Sequence, residues 1–142
     1  MSDPLQPPGE QPPAYAYQGE RPSSEERTWA LLAHIGTLVT AWFALGLIAP
    51  LITLVAKGND SAFVRRHSIE SINFQISLLI YSVVAAVVSF VLTLVTLGLA
   101  LVVLIPAALV IAVALLVFVI LATVRASNGE DYRYPLTLRL VS

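Results

Sequence analysis

The fold of this chain is decided by residues 71–124, which read SINFQISLLIYSVVAAVVSFVLTLVTLGLALVVLIPAALVIAVALLVFVILATV. These 54 consecutive positions contain no Asp, Glu, Lys, Arg or His. A helix needs roughly 20 apolar residues to cross ~30 Å of hydrocarbon at ~1.5 Å per residue. The stretch therefore predicts two membrane spans, over about 71–95 and 100–124, that fold back on each other at a break within residues 93–98.

The overall composition agrees with a membrane protein. The chain is 57% hydrophobic and only 12% charged, whereas soluble domains are about 25% charged. Its net charge of −1 shows no basic excess, so nucleic acid is not an expected partner. The absence of cysteine excludes disulfides, thiolate catalysis and iron–sulfur ligation.

Residues 1–22 form a separate N-terminal segment that holds most of the chain's nine prolines. The segment lacks the basic start and apolar core of a signal peptide. Its composition predicts a disordered tail, because it cannot bury enough apolar surface to offset the entropy of ordering. The alternative is a docking peptide for an aromatic-lined groove, formed by Pro12, Pro13, Tyr15 and Tyr17.

A first helix is expected to begin at the capping box formed by Ser23 and Glu26. Residues 29–56 then run for 28 positions without Asp, Glu, Lys or Arg. As one helix they would be ~42 Å long, which exceeds a perpendicular span. We therefore expect a tilted span, an interfacial first turn, or a kink near Gly46 and Pro50.

Small side chains recur at spacings of three and four within this first span. Such a stripe lets helices approach closely in lipid, so it predicts a packing face toward the hairpin or toward a partner protein. The alternative is chance in an Ala-rich segment. The stripe consists of Ala33, Gly36, Thr37, Thr40 and Ala44.

Residues 57–61 predict a turn, in which Gly58 ends a helix in the left-handed conformation and Asp60 or Ser61 caps the next one. Residues 61–73 are amphipathic. This pattern predicts a helix that lies at the membrane surface or forms the solvated start of the second span.

The chain ends in a segment of a different character, residues 127–142. Asn128 and Gly129 predict a helix stop. The alternation of Leu136, Leu138 and Leu140 with polar residues predicts an extended tail. We expect its apolar face to lie on the lipid interface or on one of the protein's own loops.

Taken together, these patterns predict an all-α membrane protein with three transmembrane helices, a transmembrane domain over residues 23–126 and an interfacial amphipathic helix. The N-terminal side holds Arg21 and Arg27 near the span ends, whereas the other side holds Lys57, Arg65, Arg66, Arg125, Arg133 and Arg139. The positive-inside rule then places the N-terminus outside and the C-terminus in the cytoplasm. The expected location is the cytoplasmic (inner) membrane of a bacterium.

A stripe of polar side chains enters the second span at spacings of four, three, four and four. Polar groups are costly in lipid unless they are paired, so the stripe should face the protein. One interpretation is a polar path or substrate contact. The other is internal pairing, with Arg66 bridging Glu70 and Asn73 bonding a neighbouring backbone. The stripe consists of Arg66, Glu70, Asn73, Ser77 and Tyr81.

The sequence predicts no catalytic residues, no metal site and no cofactor. His34 lies near the start of the first span and His67 beyond its end, so a shared metal is excluded unless the first segment is re-entrant. His34 is expected to be a hydrogen-bonded structural residue, and His67 a head-group contact or a partner of Glu70 or Ser71. No serine has a plausible histidine and acid partner for nucleophilic catalysis.

Several motifs together resemble a known family. They are residues 29–34, Ala49 with Pro50, residues 63–67 running into residues 70–75, and residues 128–135. The chain resembles the bacterial domain-of-unknown-function family that is similar to the twenty-kilodalton channel subunit of the Tic translocon. The plant relatives have four spans and form part of a protein-conducting channel. The motif residues are His34, Pro50, His67, Phe74, Gln75, Asn128, Gly129, Tyr134 and Pro135.

The function predicted from the sequence is that of a non-enzymatic subunit or scaffold of a membrane complex, which the resemblance links to protein translocation or assembly. The expected partners are the lipid bilayer and other membrane proteins or further copies of the chain. The alternative is an oligomeric pore or carrier for a small solute or ion, with the polar stripe as its path.

Overall fold

The computed structural model describes residues 21–44 and 46–142, without the side chains of residues 42–44. It contains four helices, α1 (Ser24–Ala44), α2 (Ile48–Lys57), α3 (Ala62–Val95) and α4 (Leu101–Ser127), and no strand in the described part of the chain. Two of them, α3 and α4, are long and apolar enough to cross a membrane. The predictions of an all-helical fold and of an apolar hairpin are confirmed.

The helix boundaries follow local capping chemistry. At the start of α1, Ser23 N donates to Glu26 Oε2 over 2.7 Å and Glu26 N donates to Ser23 Oγ over 3.1 Å, so the predicted capping box is confirmed. At the start of α3, Ser61 Oγ accepts from Val64 N, which confirms Ser61 as the cap. Gly58 was expected to be left-handed, but its φ of −65° is right-handed. The turn at Gly58 is instead closed by hydrogen bonds to the Lys57 carbonyl.

The turn between α3 and α4 lies where the sequence places it. Helix α3 ends at Val95, and Leu97 and Gly98 then adopt φ values of 52° and 91°. A positive φ costs glycine little but is unfavourable for leucine. Gly98 has open space around it, so its conformational freedom, rather than a close approach, is what this turn uses.

The segment 29–56 does not form one long helix. The chain breaks around Gly46, whose φ is +79°, and α2 returns antiparallel to α1. Lys57 Nζ, at the end of α2, lies 2.9 Å from Glu25 Oε1, at the start of α1. A single 28-residue span is therefore not confirmed. The kink expected near Gly46 and Pro50 is a full reversal, which a glycine at positive φ permits.

The reversal changes the topology of the whole chain. Glu25 meets Lys57 at one end of the molecule, and a Cβ built on Gly129 would lie 3.3 Å from Arg27 Cδ at that same end. The start of α1 and the end of α4 are therefore neighbours. The three-span arrangement, with the N-terminus and C-terminal tail on opposite sides, is not confirmed.

The molecule divides into two parts along α3. We call residues 21–77 with residues 119–142 the base, and residues 78–95 with residues 101–118 the arms. The base has a buried core formed by two clusters, one around Phe74, Val119, Ala122 and Tyr134, and one around Ala30, Phe63 and Ala126. The side chains of the arms are mostly exposed within the chain, as expected for helices whose solvent is lipid.

Residues 61–73 are not a separate surface helix. They form the first part of α3, and His67, Ser68, Glu70, Ser71 and Asn73 are all buried there. Their polar groups find partners in neighbouring segments, such as the Ala33 carbonyl, which accepts a 2.7 Å hydrogen bond from Ser71 Oγ. Of the two expectations, the start of the second span is the one that the structure shows, with its polar side chains buried rather than solvated.

The described tail follows α3 as an extended strap. It passes Tyr134, turns at Pro135 and Leu136, where Leu136 has a φ of 59°, and returns along the same helix. The strap is extended, as the alternation predicts. Its leucines point outward, with Leu136 86% exposed, and the position of this apolar face on the lipid interface stays a prediction. Backbone groups of the strap bond to side chains of α3 along its length.

The N-terminal segment 1–22 of the sequence analysis lies almost wholly outside the described residues, and so does the proposed docking peptide.

Candidate functional site: a buried polar centre in the base

The centre of the base is a chain of three polar side chains from three different segments. His34 Nε2, on α1, lies 2.7 Å from His67 Nδ1, on α3. His34 Nδ1 lies 3.1 Å from the hydroxyl of Tyr134, on the tail. Both histidines are almost fully buried. The two histidines were expected to lie apart unless the first segment is re-entrant, and they meet because α1 and α2 fold back beside α3.

Burial keeps the phenol of Tyr134 neutral, because it raises the pKa above its ordinary value of 10.0, and Tyr132 and Glu70 act in the same direction. A neutral hydroxyl both donates and accepts, so two arrangements of hydrogens satisfy these contacts. Either Tyr134 donates to His34 Nδ1 and His34 Nε2 donates to His67 Nδ1, or each bond runs in the opposite direction.

The row of hydrogen bonds from Tyr134 through His34 ends at His67 Nε2. It is buried and has no hydrogen-bond partner among the described residues. The nearest acidic oxygen is Asp131 Oδ1 at 3.9 Å, which exceeds hydrogen-bond distance. Arg66 Nε donates to that same oxygen over 3.1 Å. His67 is thus a buried structural residue that faces an ion pair, and the prediction of a head-group contact is wrong.

Tyr134 binds the tail to the base through its backbone N–H, its ring and its hydroxyl. Its backbone N–H donates to Glu70 Oε1 over 2.7 Å. Its ring stacks on Phe74 with centroids 3.9 Å apart and planes 10° apart, and Tyr132 packs against it edge-on at 5.2 Å. Stacked aromatic pairs contribute about 0.5–1.5 kcal/mol beyond their buried area. Tyr134 is therefore the anchor of the tail.

The predicted polar stripe on α3 faces the tail along its whole length. Its side chains bond the tail in order, first along its outgoing part and then along its returning part. Arg66 pairs with Asp131 rather than bridging Glu70. Glu70 accepts from Tyr134 N, Tyr81 Oη donates to the Leu136 carbonyl over 2.8 Å, Ser77 Oγ accepts from Leu138 N over 2.8 Å, and Asn73 Oδ1 accepts from Leu140 N and Val141 N at 2.9 and 2.8 Å.

The small-residue stripe of α1 lies inside the base. Ala33 and Thr37 are buried, and Gly36 packs so closely on α2 that a Cβ built there would lie 2.5 Å from Ala49 Cβ. Thr40 Oγ1 donates to the Gly36 carbonyl over 2.9 Å. The side chain of Ala44 lies outside the described set. The described part of the stripe thus contacts elements of the same chain.

The remaining motif residues shape the backbone around the centre. Pro50 is buried in α2, and Gln75 lies beside Gly46 at the α1–α2 turn. Asn128 caps the end of α4, Gly129 follows with a φ of 77°, and Pro135 begins the turn of the tail. Each of these positions contributes to the reversal or to the course of the strap.

The chemistry available at this centre is that of hydrogen bonding. No group of three or more His, Cys, Asp or Glu side chains that could hold a metal ion occurs within the described residues. The guanidinium of Arg66, bonded to Asp131 beside His67, also repels a second cation. The arrangement fastens the tail across α1, α3 and α4.

Sequence reasoning did not find the role of Asp131 and Tyr134 as the tail's attachments. The available signal was the polar stripe itself, since buried polar side chains need partners and the tail was the remaining segment with free backbone groups. The backbone amides of an extended segment beside a helix have no neighbouring strand to pair with, so they need other hydrogen-bond partners. The need of both groups for partners predicts that the tail binds the polar stripe.

The family of the chain follows from a comparison that covers most of its length. The model of the magnetosome magnetite crystal formation protein family, MamF_MmsF, matches residues 25–141. The chain belongs to this family. MamF_MmsF is a family of magnetosome membrane proteins, and the match includes all four helices and nearly all of the tail.

The MamF_MmsF match corrects the resemblance drawn from the motifs. The chain was expected to be similar to the channel subunit of the Tic translocon, and that expectation is wrong. The motif residues all lie within the matched region. No curated protein and no solved structure matches the chain.

Proposed function

We propose that this chain is a non-enzymatic subunit of the magnetosome membrane that acts in magnetite crystal formation by organising the membrane and the proteins around the mineral. The arms α3 and α4 anchor it, and the base is its interaction surface. The single observation that carries this proposal is the separation of charge, since every charged residue from Arg21 to Arg139 lies in the base and the arms contain none.

The same separation supports an orientation. All eight Lys and Arg residues precede residue 67 or follow residue 124, and in this fold both regions belong to one end. The tip between the arms, residues 96–100, has no charge. By the positive-inside rule the base faces the cytoplasm and the tip the other side of the membrane. This orientation replaces the one expected from three spans.

The bonding of the polar centre supports a non-enzymatic role. Catalytic groups need access to a substrate, whereas His34, His67 and Tyr134 are buried and bonded to one another. The carboxylate of Glu70 accepts a hydrogen bond from Tyr134 N and lies 3.8 Å from Arg139 Nη2. These side chains hold the tail in place.

The alternative of an oligomeric pore or carrier loses its main support. It was motivated by the stripe from Arg66 to Tyr81, and those side chains bond the tail instead. Replacing Glu70 and Asn73 by Leu tests what remains of this alternative. A path through the stripe requires that liposome flux fall in this variant, whereas the subunit role predicts no flux in either protein.

The test of the proposal is complementation. The chain is expressed in a magnetite-forming bacterium that lacks its own family member, and crystal size is measured by electron microscopy. We expect the wild-type chain to restore the size distribution and Tyr134→Ala, which frees the tail, to restore it poorly. Ser127→Ala, at an exposed position, serves as the matched control. A chain that reaches the magnetosome membrane intact but leaves the crystals unchanged refutes the role.

A further inference from the structure

The α1–α2 hairpin covers only the lower half of α3. Ser71 Oγ bonds the Ala33 carbonyl and Thr53 Oγ1 lies 2.8 Å from Ser68 Oγ, so both helices run beside the base of α3. The hairpin reverses at the level of Gln75, because a Cβ built on Gly46 would lie 3.0 Å from Gln75 Cδ. Beyond that level the two arms continue without α1 or α2.

The length of the hairpin fits one leaflet. Helix α2 has 10 residues, which at ~1.5 Å per residue is ~15 Å. The hydrocarbon core of a bilayer is ~30 Å thick, so one leaflet contributes ~15 Å. The arms, residues 78–95 and 101–118, are each ~27 Å long by the same rise. The hairpin and the arms together measure ~42 Å, which matches the ~40–45 Å of a bilayer with its head-group regions, so the lower end of the hairpin lies among the head groups.

The outer face of the hairpin is apolar. Helix α2 buries Pro50 and Thr53 against the protein. It exposes apolar side chains at the i, i+3, i+4 and i+7 positions that define the other face of a helix. Val55 is 81% exposed there, and Val39 of α1 is 72% exposed. The exposed residues of α2 are Ile48, Leu51, Ile52 and Val55.

The boundaries of this face identify what covers it. At its lower edge lies the ion pair of Lys57 and Glu25, which suits the head-group region. At its upper edge it meets the apolar surface of the arms, and residues 28–56 contain no Asp, Glu, Lys or Arg. The face is therefore continuous with the lipid-facing surface of α3 and α4, and acyl chains are the occupant that matches its chemistry.

We propose that the α1–α2 hairpin inserts into the base-side leaflet alone and makes the chain a wedge that prefers membranes curved with the base on the convex side. This inference rests on the membrane anchoring of the proposed function but not on its mineral role. Four helices and the tail then occupy one leaflet, whereas only α3 and α4 cross the other.

The preference for curved membranes follows from the different areas that the protein occupies in the two leaflets. A protein that takes up more area in one leaflet than in the other relieves packing stress where the first leaflet is expanded, and interfacial helices are sensitive to curvature for this reason. With the base in the cytoplasmic leaflet, the expanded leaflet is the outer surface of a vesicle enclosed by the cell. The wedge therefore favours small internal vesicles over flat membrane.

The depth of the hairpin is tested first. Because the chain has no cysteine, a single cysteine at position 52 or 55 can carry a fluorophore, with position 59 as the polar control. The purified protein is reconstituted in vesicles whose lipids are brominated at shallow or deep acyl positions. We expect bromolipid quenching at positions 52 and 55 and none at position 59. Equal, weak quenching at all three positions overturns the insertion.

Curvature preference is then measured on membrane tubes pulled from giant vesicles with the base outside. We expect labelled wild-type protein to be enriched several-fold in the tube relative to the giant vesicle. Ile52→Glu with Val55→Glu, both at exposed positions, should reduce this enrichment to near one. Asn59→Glu with Ser127→Glu adds the same charge at exposed polar positions and should leave it unchanged.

Two outcomes contradict the wedge. One is an even distribution of the wild-type protein between tube and vesicle. The other is unchanged enrichment of the variant with Ile52→Glu and Val55→Glu, provided that this variant retains the near-ultraviolet circular dichroism of the folded chain. Neither outcome affects the crystal-size assay, so failure of the wedge and failure of the mineral role remain distinguishable.

Discussion

His34 Nε2 lies 2.7 Å from His67 Nδ1, although the two histidines are 33 positions apart in sequence with an entire helix between them. This contact requires the chain to reverse between them, which it does at Gly46. Tyr134 joins the pair from the tail. The three side chains thus connect the first helix, the third helix and the tail of the protein at one buried point.

The histidine pair should behave as a unit in unfolding experiments. His34→Leu leaves His67 Nδ1 buried without its partner, and His67→Leu leaves His34 Nε2 unpaired while Nδ1 keeps Tyr134. An unsatisfied buried group of this kind costs about 1–3 kcal/mol. The double substitution removes both polar groups and should cost less than the sum of the two single changes. Chemical unfolding in detergent, followed by tryptophan fluorescence, gives the four free energies. Additive effects would show that the two rings do not interact.

Tyr134 should control whether the tail stays on the base. Tyr134→Phe keeps the stacking on Phe74 and loses only the hydroxyl bond to His34, so its effect should be small. Tyr134→Ala removes the anchor. A cysteine introduced at Thr137, a partly buried tail position, should then react with a water-soluble maleimide several-fold faster. If both variants label at the wild-type rate, the anchor lies elsewhere.

Gly36 should be intolerant of any side chain. Gly36→Ala places a Cβ 2.5 Å from Ala49 Cβ, and since overpacking costs typically 1–3 kcal/mol the α1–α2 hairpin should be destabilised by roughly that amount. Ala49→Gly in the same chain removes the clashing atom and should restore part of the loss, whereas Ala49→Gly alone should be mildly destabilising. Thermal unfolding of the three variants checks this, and a lack of rescue contradicts the packing.

The contact between α1 and the 57–61 turn should depend on pH. The hydroxyl of Ser61 donates to Glu26 Oε1 over 2.6 Å and holds the pKa of that carboxyl below its ordinary value of 4.5, with help from Ser23. The lowered pKa means that the unfolded chain takes up the proton first as the pH falls. The stability contributed by Glu26 is therefore complete above pH 4.5 and lost as the pH drops through the lower, folded value.

Ser61→Ala provides the test of this linkage. In the variant the pKa of Glu26 should rise, and the loss of stability between neutral and acidic pH should become smaller. Thr28→Ala removes a hydroxyl that donates to the Ser24 carbonyl and should leave the pH profile unchanged. The carboxyl chemical shift of Glu26 across the titration gives the direct readout, and an unshifted midpoint in Ser61→Ala would refute the assignment.

The sequence could predict the elements of the fold that depend on neighbours in the chain. Capping at Ser23 and Ser61, the turn before Gly98 and the helix stop at Asn128 are all local signals, and the structure confirms each one. The hydrophobicity of residues 71–124 likewise predicts the two arms without knowledge of any other segment. Local propensity and hydropathy are sufficient for these features.

The arrangement of the base could not be predicted in the same way. An apolar run of 28 residues is compatible with one span or with two short helices, because the hydrophobic pattern is the same whether or not the chain reverses at Gly46. The choice depends on contacts with distant residues, such as Gly36 with Ala49 and His34 with His67. The polar stripe could be recognised on α3, but its partners are backbone groups, which have no sequence signature.

The position of Tyr134 in the chain sets the order in which the protein can be completed. During synthesis all four helices leave the ribosome before this residue does, and until then His34, Glu70 and Phe74 have no tail to bind. The bundle of helices therefore forms without its polar centre, which is completed only when Tyr134 reaches His34 and Glu70.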